Sequence, residues 1–209
     1  RIRQNKKTVG TDLRRERTGQ KMKLLEDKIL QEGKVLGDDI LKVDSFVSHQ
    51  VDVNLMEELG KDMAEHFRGQ GVTKVFTIEA SGIAPALFTA RALEVPLVIL
   101  KKQNAENLGT EVWQTEVVSY TKDTSYRLTL AKNYISDSDH VLIVDDFLAN
   151  GEAATGAVRL IRKAHATVAG IGVLNEKAFQ PGREKLESQG IPVYAQARIR
   201  AFEGGKVVF

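Results

Sequence analysis

Val141-Leu142-Ile143-Val144-Asp145-Asp146-Phe147-Leu148-Ala149-Asn150-Gly151-Glu152-Ala153-Ala154-Thr155-Gly156 carries the pattern on which the fold turns. Four consecutive aliphatic residues, Val141 to Val144, form a strand buried on both faces, because a half-exposed strand would alternate apolar with polar positions. Asp145 and Asp146 follow at its C-terminal end, and a turn of small residues then feeds a helix predicted to reach about Ala166. Backbone N–H groups at a helix N-terminus favour an anion. Adjacent carboxylates just upstream accept from vicinal hydroxyls or hold a cation-bridged ligand. A sugar phosphate presents both kinds of group.

Strands and helices alternate in the flanking sequence as well. Val75 to Ile78 is a short aliphatic strand that ends in Glu79-Ala80-Ser81-Gly82-Ile83-Ala84-Pro85, a small-residue turn entering a helix with Pro85 in its first turn. Leu97 to Leu100 is the next strand and stops at Lys101 and Lys102. Val168 to Leu174 completes a further βαβ unit, with a helix near Pro181 and a strand near Val193 beyond it. Upstream, Leu25, Ile29 and Leu30 lie at helical spacing before Gly33, and residues 39–50 are extended in character. Asp52 can cap a helix running to about Arg68, with Leu55, Met56, Leu59, Met63 and Phe67 on its core face. Strands alternating with helices predict an α/β fold with a mostly parallel sheet flanked by helices, and ligands in such sheets sit beyond the C-terminal strand ends. Four loops converge there: 79–85, 101–119, 145–153 and 175–181. Within the second, a β-like pair is expected around Val117–Tyr120 and Tyr126–Leu130, while Trp113 and residues 103–119 suit a mobile flap that excludes water.

Charge is unevenly distributed. Residues 1–21 carry eight basic side chains against Asp12 and Glu16, a net +6, which leaves the remaining 188 residues at −4. The segment 1–21 has no helical or strand period and reads as a basic leader or appended tail, followed by one domain over 22–209. The body is mildly acidic, so the net charge of +2 is no sign of a nucleic-acid partner. The absence of cysteine excludes disulfides and thiolate metal sites. With no long apolar run, the chain reads as a cytoplasmic protein without a membrane partner.

Two familiar phosphate motifs fail. Gly151 and Gly156 have Walker-A glycine spacing, but Ala157 and Val158 stand where the lysine and hydroxyl residue belong. Gly170-Ile171-Gly172 lies inside a strand and is followed by no third glycine at the required spacing. His49, His66, His140 and His165 show no metal-ligand spacing.

Val141 to Gly156 resembles the phosphoribosyl pyrophosphate (PRPP) signature of the type I phosphoribosyltransferases. The resemblance extends through Leu41-Lys42-Val43-Asp44-Ser45-Phe46, Glu79 to Pro85, and Glu176-Lys177-Ala178-Phe179-Gln180-Pro181-Gly182-Arg183 to the bacterial xanthine phosphoribosyltransferases. It covers nearly everything from Met22 onward. It implies the type I fold with a small base-binding hood, a cytoplasmic homodimer, and Mg²⁺-dependent conversion of xanthine and PRPP to xanthosine monophosphate and pyrophosphate in purine salvage.

Roles follow by motif. Asp145 and Asp146 are expected to meet the ribose hydroxyls, and Ala149, Asn150, Gly151, Glu152 and Ala153 to wrap the 5′-phosphate with backbone N–H groups. Glu152 sits awkwardly, since a carboxylate repels phosphate unless it turns away. Ala80, Ser81 and Gly82 resemble the pyrophosphate loop, and Lys102 can neutralise that leaving group, across a dimer interface in related enzymes. For the base, the resemblance assigns Leu41, Ser48 and Lys177, with Phe179 offering a stacking face. From pattern alone, Leu41 is core and Lys177 a surface lysine. No residue is assigned as a direct metal ligand, Mg²⁺ being carried mainly by PRPP. Two other functions fit the same donor site: a transferase preferring hypoxanthine or guanine, and a non-catalytic PRPP-responsive regulator. The second is disfavoured because residues 1–21 are too short for a DNA-binding domain.

Overall fold

The computed structural model describes residues 23–37, 39–102, 111–119 and 124–209. The basic segment 1–21 and residues 103–110, part of the stretch expected to act as a flap, lie outside them. A helix α1 over 23–32 leads to a hairpin of β1 (Lys34–Leu36) and β2 (Ile40–Lys42). Then follow α2 (Val53–Phe67), β3 (Lys74–Ile78), α3 (Ile83–Leu93), β4 (Leu97–Leu100), β5 (Val112–Ser119) and β6 (Thr124–Ala131). The remainder is β7 (His140–Leu148), α4 (Glu152–Lys163), β8 (Thr167–Lys177), α5 (Gly182–Glu187), β9 (Val193–Ile199), β10 (Ala201–Glu203) and β11 (Lys206–Val208).

Five of these strands form one parallel sheet in the order β4-β3-β7-β8-β9. The order reverses direction between β3 and β7: the chain steps outward from β3 to β4 on one side, and from β7 through β8 to β9 on the other. That is the switch point at which open parallel sheets bind ligands. The pairing of β3 with β7 stops at Phe76↔Ile143, whereas β7 stays paired with β8 through Leu148↔Glu176. From Val144 onward, β7 therefore has one free edge beside the turn after β3.

Each face has its own core, as the all-apolar run Val141–Val144 requires. Val141 and Ile143 join the cluster with Val158 and Ile161 of α4 and with Val117, Leu128 and Leu130 of the β5–β6 hairpin. Leu142 and Val144 join Met63 and Phe67 of α2 and Ala86 and Ala90 of α3. The glycines of Gly170-Ile171-Gly172 serve this packing: a Cβ on Gly172 would lie 2.2 Å from the Met63 sulfur, and one on Gly170 2.5 Å from the Phe67 ring. A third cluster, of Leu25, Ile29, Leu41, Phe46 and Val47 with Leu174, Ala197 and Ile199, forms a hood over the C-terminal side of β8 and β9.

Several sequence expectations are corrected. β7 runs past both acids to Leu148, because its pairing with β8 continues there. Residues 39–50 are not extended throughout: Asp44–Ser48 wind into a π-helical turn that buries Phe46 and Val47 in the hood. The β5–β6 hairpin is longer than expected, with Val112↔Ala131 paired at its base. Trp113 is consequently half-buried in a strand against the core, with the Lys132 ammonium 4.8 Å from its ring centre. The hairpins β1–β2 and β10–β11 were unanticipated.

Candidate active site

The two carboxylates sit on the free edge of β7. The Asp146 N–H donates to Asp145 Oδ1 at 2.9 Å, and the Asn175 amide reaches across from β8 to the Asp146 carbonyl at 3.3 Å. Burial, then the neighbouring Asp146 charge, pushes the Asp145 carboxyl well above the ordinary carboxylate range, while Lys102 pulls in the opposite direction. Facing Asp145 is Gly82. A Cβ there would stand 2.5 Å from Asp145 Oδ1 and 2.3 Å from Thr77 Oγ1, so only glycine lets the turn after β3 close onto the acid pair.

That turn is Glu79–Gly82, whose Glu79–Ala80 peptide bond is cis. Glu79 accepts from the Lys102 backbone N–H at 2.7 Å and pairs with the Lys101 ammonium at 3.1 Å. It thereby joins the turn after β3 to the end of β4.

Beyond β7 the chain turns at Gly151, whose φ of 80° and ψ of 10° place it in the left-handed region. Gly182, at the start of α5, packs beneath this turn: a Cβ on Gly151 would be 3.0 Å from the Gly182 Cα, and the Gly182 N–H donates to the Ala149 carbonyl at 3.1 Å. The first intrahelical bond of α4 at this end is Thr155 N–H to the Gly151 carbonyl, 2.9 Å. The N–H groups of Glu152, Ala153 and Ala154 precede the helical ladder, an arrangement that can act as an anion cradle. The Glu152 carboxylate pairs with the Lys185 ammonium on α5.

The residues assigned to the base lie where β8 meets the hood. Lys177 is the last residue of β8, and its ammonium donates to the Asp39 carbonyl at 2.5 Å. Desolvation lowers its pKa below the usual lysine value, against the charge of Asp39. Leu41 is buried in the hood core two residues beyond that carbonyl. Phe179 is 46% exposed and meets Phe202 of β10 edge to face, with ring centres 5.8 Å apart. Ser48 is exposed at the end of the π-helical turn, and among the described residues no hydrogen bond ties it to Lys177 or Leu41.

The site also depends on residues that the sequence did not single out. Phe147, directly after the acid pair, packs against the hood. Glu176, 2% exposed, accepts from Arg183 at 2.6 and 2.7 Å and from Arg198 at 3.0 Å. Burial would raise its pKa, but the two guanidiniums hold it below the usual glutamate range. This network anchors the segment carrying Lys177 and Phe179. No hydrophobic pattern signals a buried ion pair, so only the fold reveals it.

Among the described residues, no three His, Cys, Asp or Glu side chains gather to hold a metal by themselves. Two adjacent carboxylates fit a hard divalent cation that takes its other ligands from water and a phosphate-bearing partner.

Comparisons with known proteins agree with this geometry. The family model described as phosphoribosyl transferase domain matches residues 43–191. A xanthine phosphoribosyltransferase of Agathobacter rectalis is 56% identical over 188 residues, covering 90% of this chain and 98% of that protein. Xanthine phosphoribosyltransferase 1 of Clostridium botulinum is 53% identical, covering 90% and 99%. Among solved structures, the adenine phosphoribosyltransferase of Rhodothermus marinus superposes with a TM-score of 0.70 at 21% identity, covering 87% of this chain and 99% of that one. That of Trypanosoma brucei gives 0.71 at 16% identity, covering 83% and 79%. These two share the fold. With an acid pair, a helix-terminal anion cradle and a glycine turn meeting at the switch point, the chain belongs to the phosphoribosyl transferase family.

Proposed function

We propose that this chain transfers the 5-phosphoribosyl group of PRPP to xanthine, giving xanthosine 5′-monophosphate and pyrophosphate in purine salvage. The observation that carries the donor half is the meeting of Asp145 and Asp146, the α4 N-terminal cradle and the Gly82 turn at one sheet opening. The acceptor half is supported by relatives of 52–56% identity named xanthine phosphoribosyltransferase.

In this reading, the N–H groups of residues 149–153 bind the 5′-phosphate, and Asp145 and Asp146 accept from the ribose hydroxyls. Displacement at the anomeric carbon develops negative charge on the departing pyrophosphate. Backbone donors of Ala80, Ser81 and Gly82 and the Lys102 ammonium stabilise that charge. Asp145 and Asp146 are the carboxylates that would hold a PRPP-borne Mg²⁺, which supplies further neutralisation of the leaving group. Lysine has three donors, so Lys177 keeps its bond to the Asp39 carbonyl while donating to the purine 6-oxo oxygen. Leu41, Ser48 and Phe179 line the base, with Phe202 steadying the Phe179 ring. No general base is assigned, because xanthine is itself fairly acidic. The chain acts as a homodimer in the cytoplasm. Among the described residues, no helix is long and apolar enough to cross a membrane.

The experiment is product formation from xanthine, PRPP and Mg²⁺, followed as pyrophosphate release and nucleotide appearance. The wild-type chain makes both products in equal amounts. Asp146→Asn makes neither while keeping its circular dichroism spectrum. An inactive wild type, or full activity in Asp146→Asn, contradicts the proposal.

A further inference from the structure

An exposed lysine is a poor anion ligand when its stem is free, because four rotatable bonds must be fixed before the ammonium stands in one place. Lys102 has such a stem and lies at the end of β4, yet it is constrained at two points. Its backbone N–H is fixed by Glu79 at 2.7 Å. Its ammonium lies 5.5 Å from the centre of the Tyr126 ring, within the range of a cation–π contact. Tyr126 is itself well placed to act as a fixed surface. It belongs to β6, opposite Val117, and packs half-buried against the sheet core. The hairpin carrying it is joined to β4 by a two-way backbone bridge, Lys101 N–H to the Thr129 carbonyl at 3.0 Å and Thr129 N–H to the Lys101 carbonyl at 2.8 Å.

We infer that Tyr126 is a positioning residue for Lys102, holding its ammonium on the acid-pair side of the cleft for the departing pyrophosphate. The inference rests on the proposed role of Lys102 as a pyrophosphate contact. Burial holds the Tyr126 phenol above its ordinary range. The ring therefore stays neutral near pH 7 and presents its face to the cation. The β5–β6 hairpin thus contributes to leaving-group binding through the ring of Tyr126.

The test is a double-mutant cycle on affinity for pyrophosphate with Mg²⁺, measured by calorimetry on the full chain. Lys102→Ala is expected to weaken binding. Tyr126→Met, which keeps apolar bulk but removes the ring, is expected to weaken it about two- to fivefold, the size of an exposed cation–π contact. Tyr126→Phe keeps wild-type affinity, and Tyr126→Met adds no loss in the Lys102→Ala background. Affinity for ribose 5-phosphate stays unchanged in Tyr126→Met, which a general collapse of the site would not allow. Tyr126→Leu replaces the Met variant if that one melts below the assay temperature. Wild-type affinity in both ring-less variants, or the same loss with and without Lys102, overturns the inference alone. Unchanged binding in Lys102→Ala overturns the pyrophosphate role of Lys102 and the inference with it.

Discussion

Glu152 shows how one residue can look wrong in sequence and be right in space. A carboxylate in the first turn of α4 is favoured by the helix dipole, but it competes with the phosphate that the same turn would bind. Pairing with Lys185 turns its charge aside. Lys185→Met should raise KM for PRPP about two- to fivefold, the scale of a partly exposed ion pair, with little change in kcat. Adding Glu152→Gln should restore KM. Initial-rate kinetics on the two variants check this, and a KM unmoved by Lys185→Met would show that the pair does not shield the cradle. Asp145 carries the opposite tension. Its carboxyl titrates above the ordinary range because of burial and Asp146. Stability from such a group is fully present below the unfolded-state value near pH ~3.9 and is lost as pH rises through the raised folded value. Asp145→Asn should therefore raise the melting temperature of the unliganded protein at pH 7.5, and the gain should shrink toward pH 4 while activity is lost. Paired thermal melts across that range decide it.

At the scale of elements, the buried strands and the amphipathic helices were legible because burial and periodicity are local properties. Val141–Val144, the Asp52 cap, whose carboxylate accepts the Leu55 N–H at 3.1 Å, and Pro85 in the first turn of α3 all follow from neighbouring residues. What was not legible depends on partners far along the chain. β7 outruns its aliphatic run because β8 keeps pairing with it. Gly170 and Gly172 looked like a failed nucleotide motif because the side chains they accommodate belong to α2, over a hundred residues upstream. The Glu176–Arg183–Arg198 network is of the same kind, and it ties α5 and β9 to the end of β8. Arg183→Met would leave a buried carboxylate short of its main partner and should destabilise the fold by about 3 kcal/mol, measured by urea unfolding. It should also raise KM for the base more than KM for PRPP, since Lys177 and Phe179 lie on the segment that the network anchors. Equal rises in both would place the network outside base binding.

Over the whole molecule, the proposed function assigns donor and acceptor recognition to different parts of the fold. The donor half is built from the turns at the switch point of the parallel sheet, where the acid-pair motif alone identified it. The proposed acceptor half lies between the end of β8 and the hood formed by α1, the β1–β2 hairpin, the π-helical turn and the β10–β11 hairpin. Short strands and a π-helical turn have weak sequence signals, so Leu41, Ser48 and Lys177 emerged only through resemblance, and Phe202 only from the fold. The most direct measurement is therefore kcat/KM with saturating PRPP and Mg²⁺ for xanthine, guanine and hypoxanthine on the same preparation. Xanthine is predicted to give the highest value, by about tenfold or more if one additional polar contact distinguishes it; a higher kcat/KM for guanine or hypoxanthine would contradict the assignment of xanthine as the acceptor.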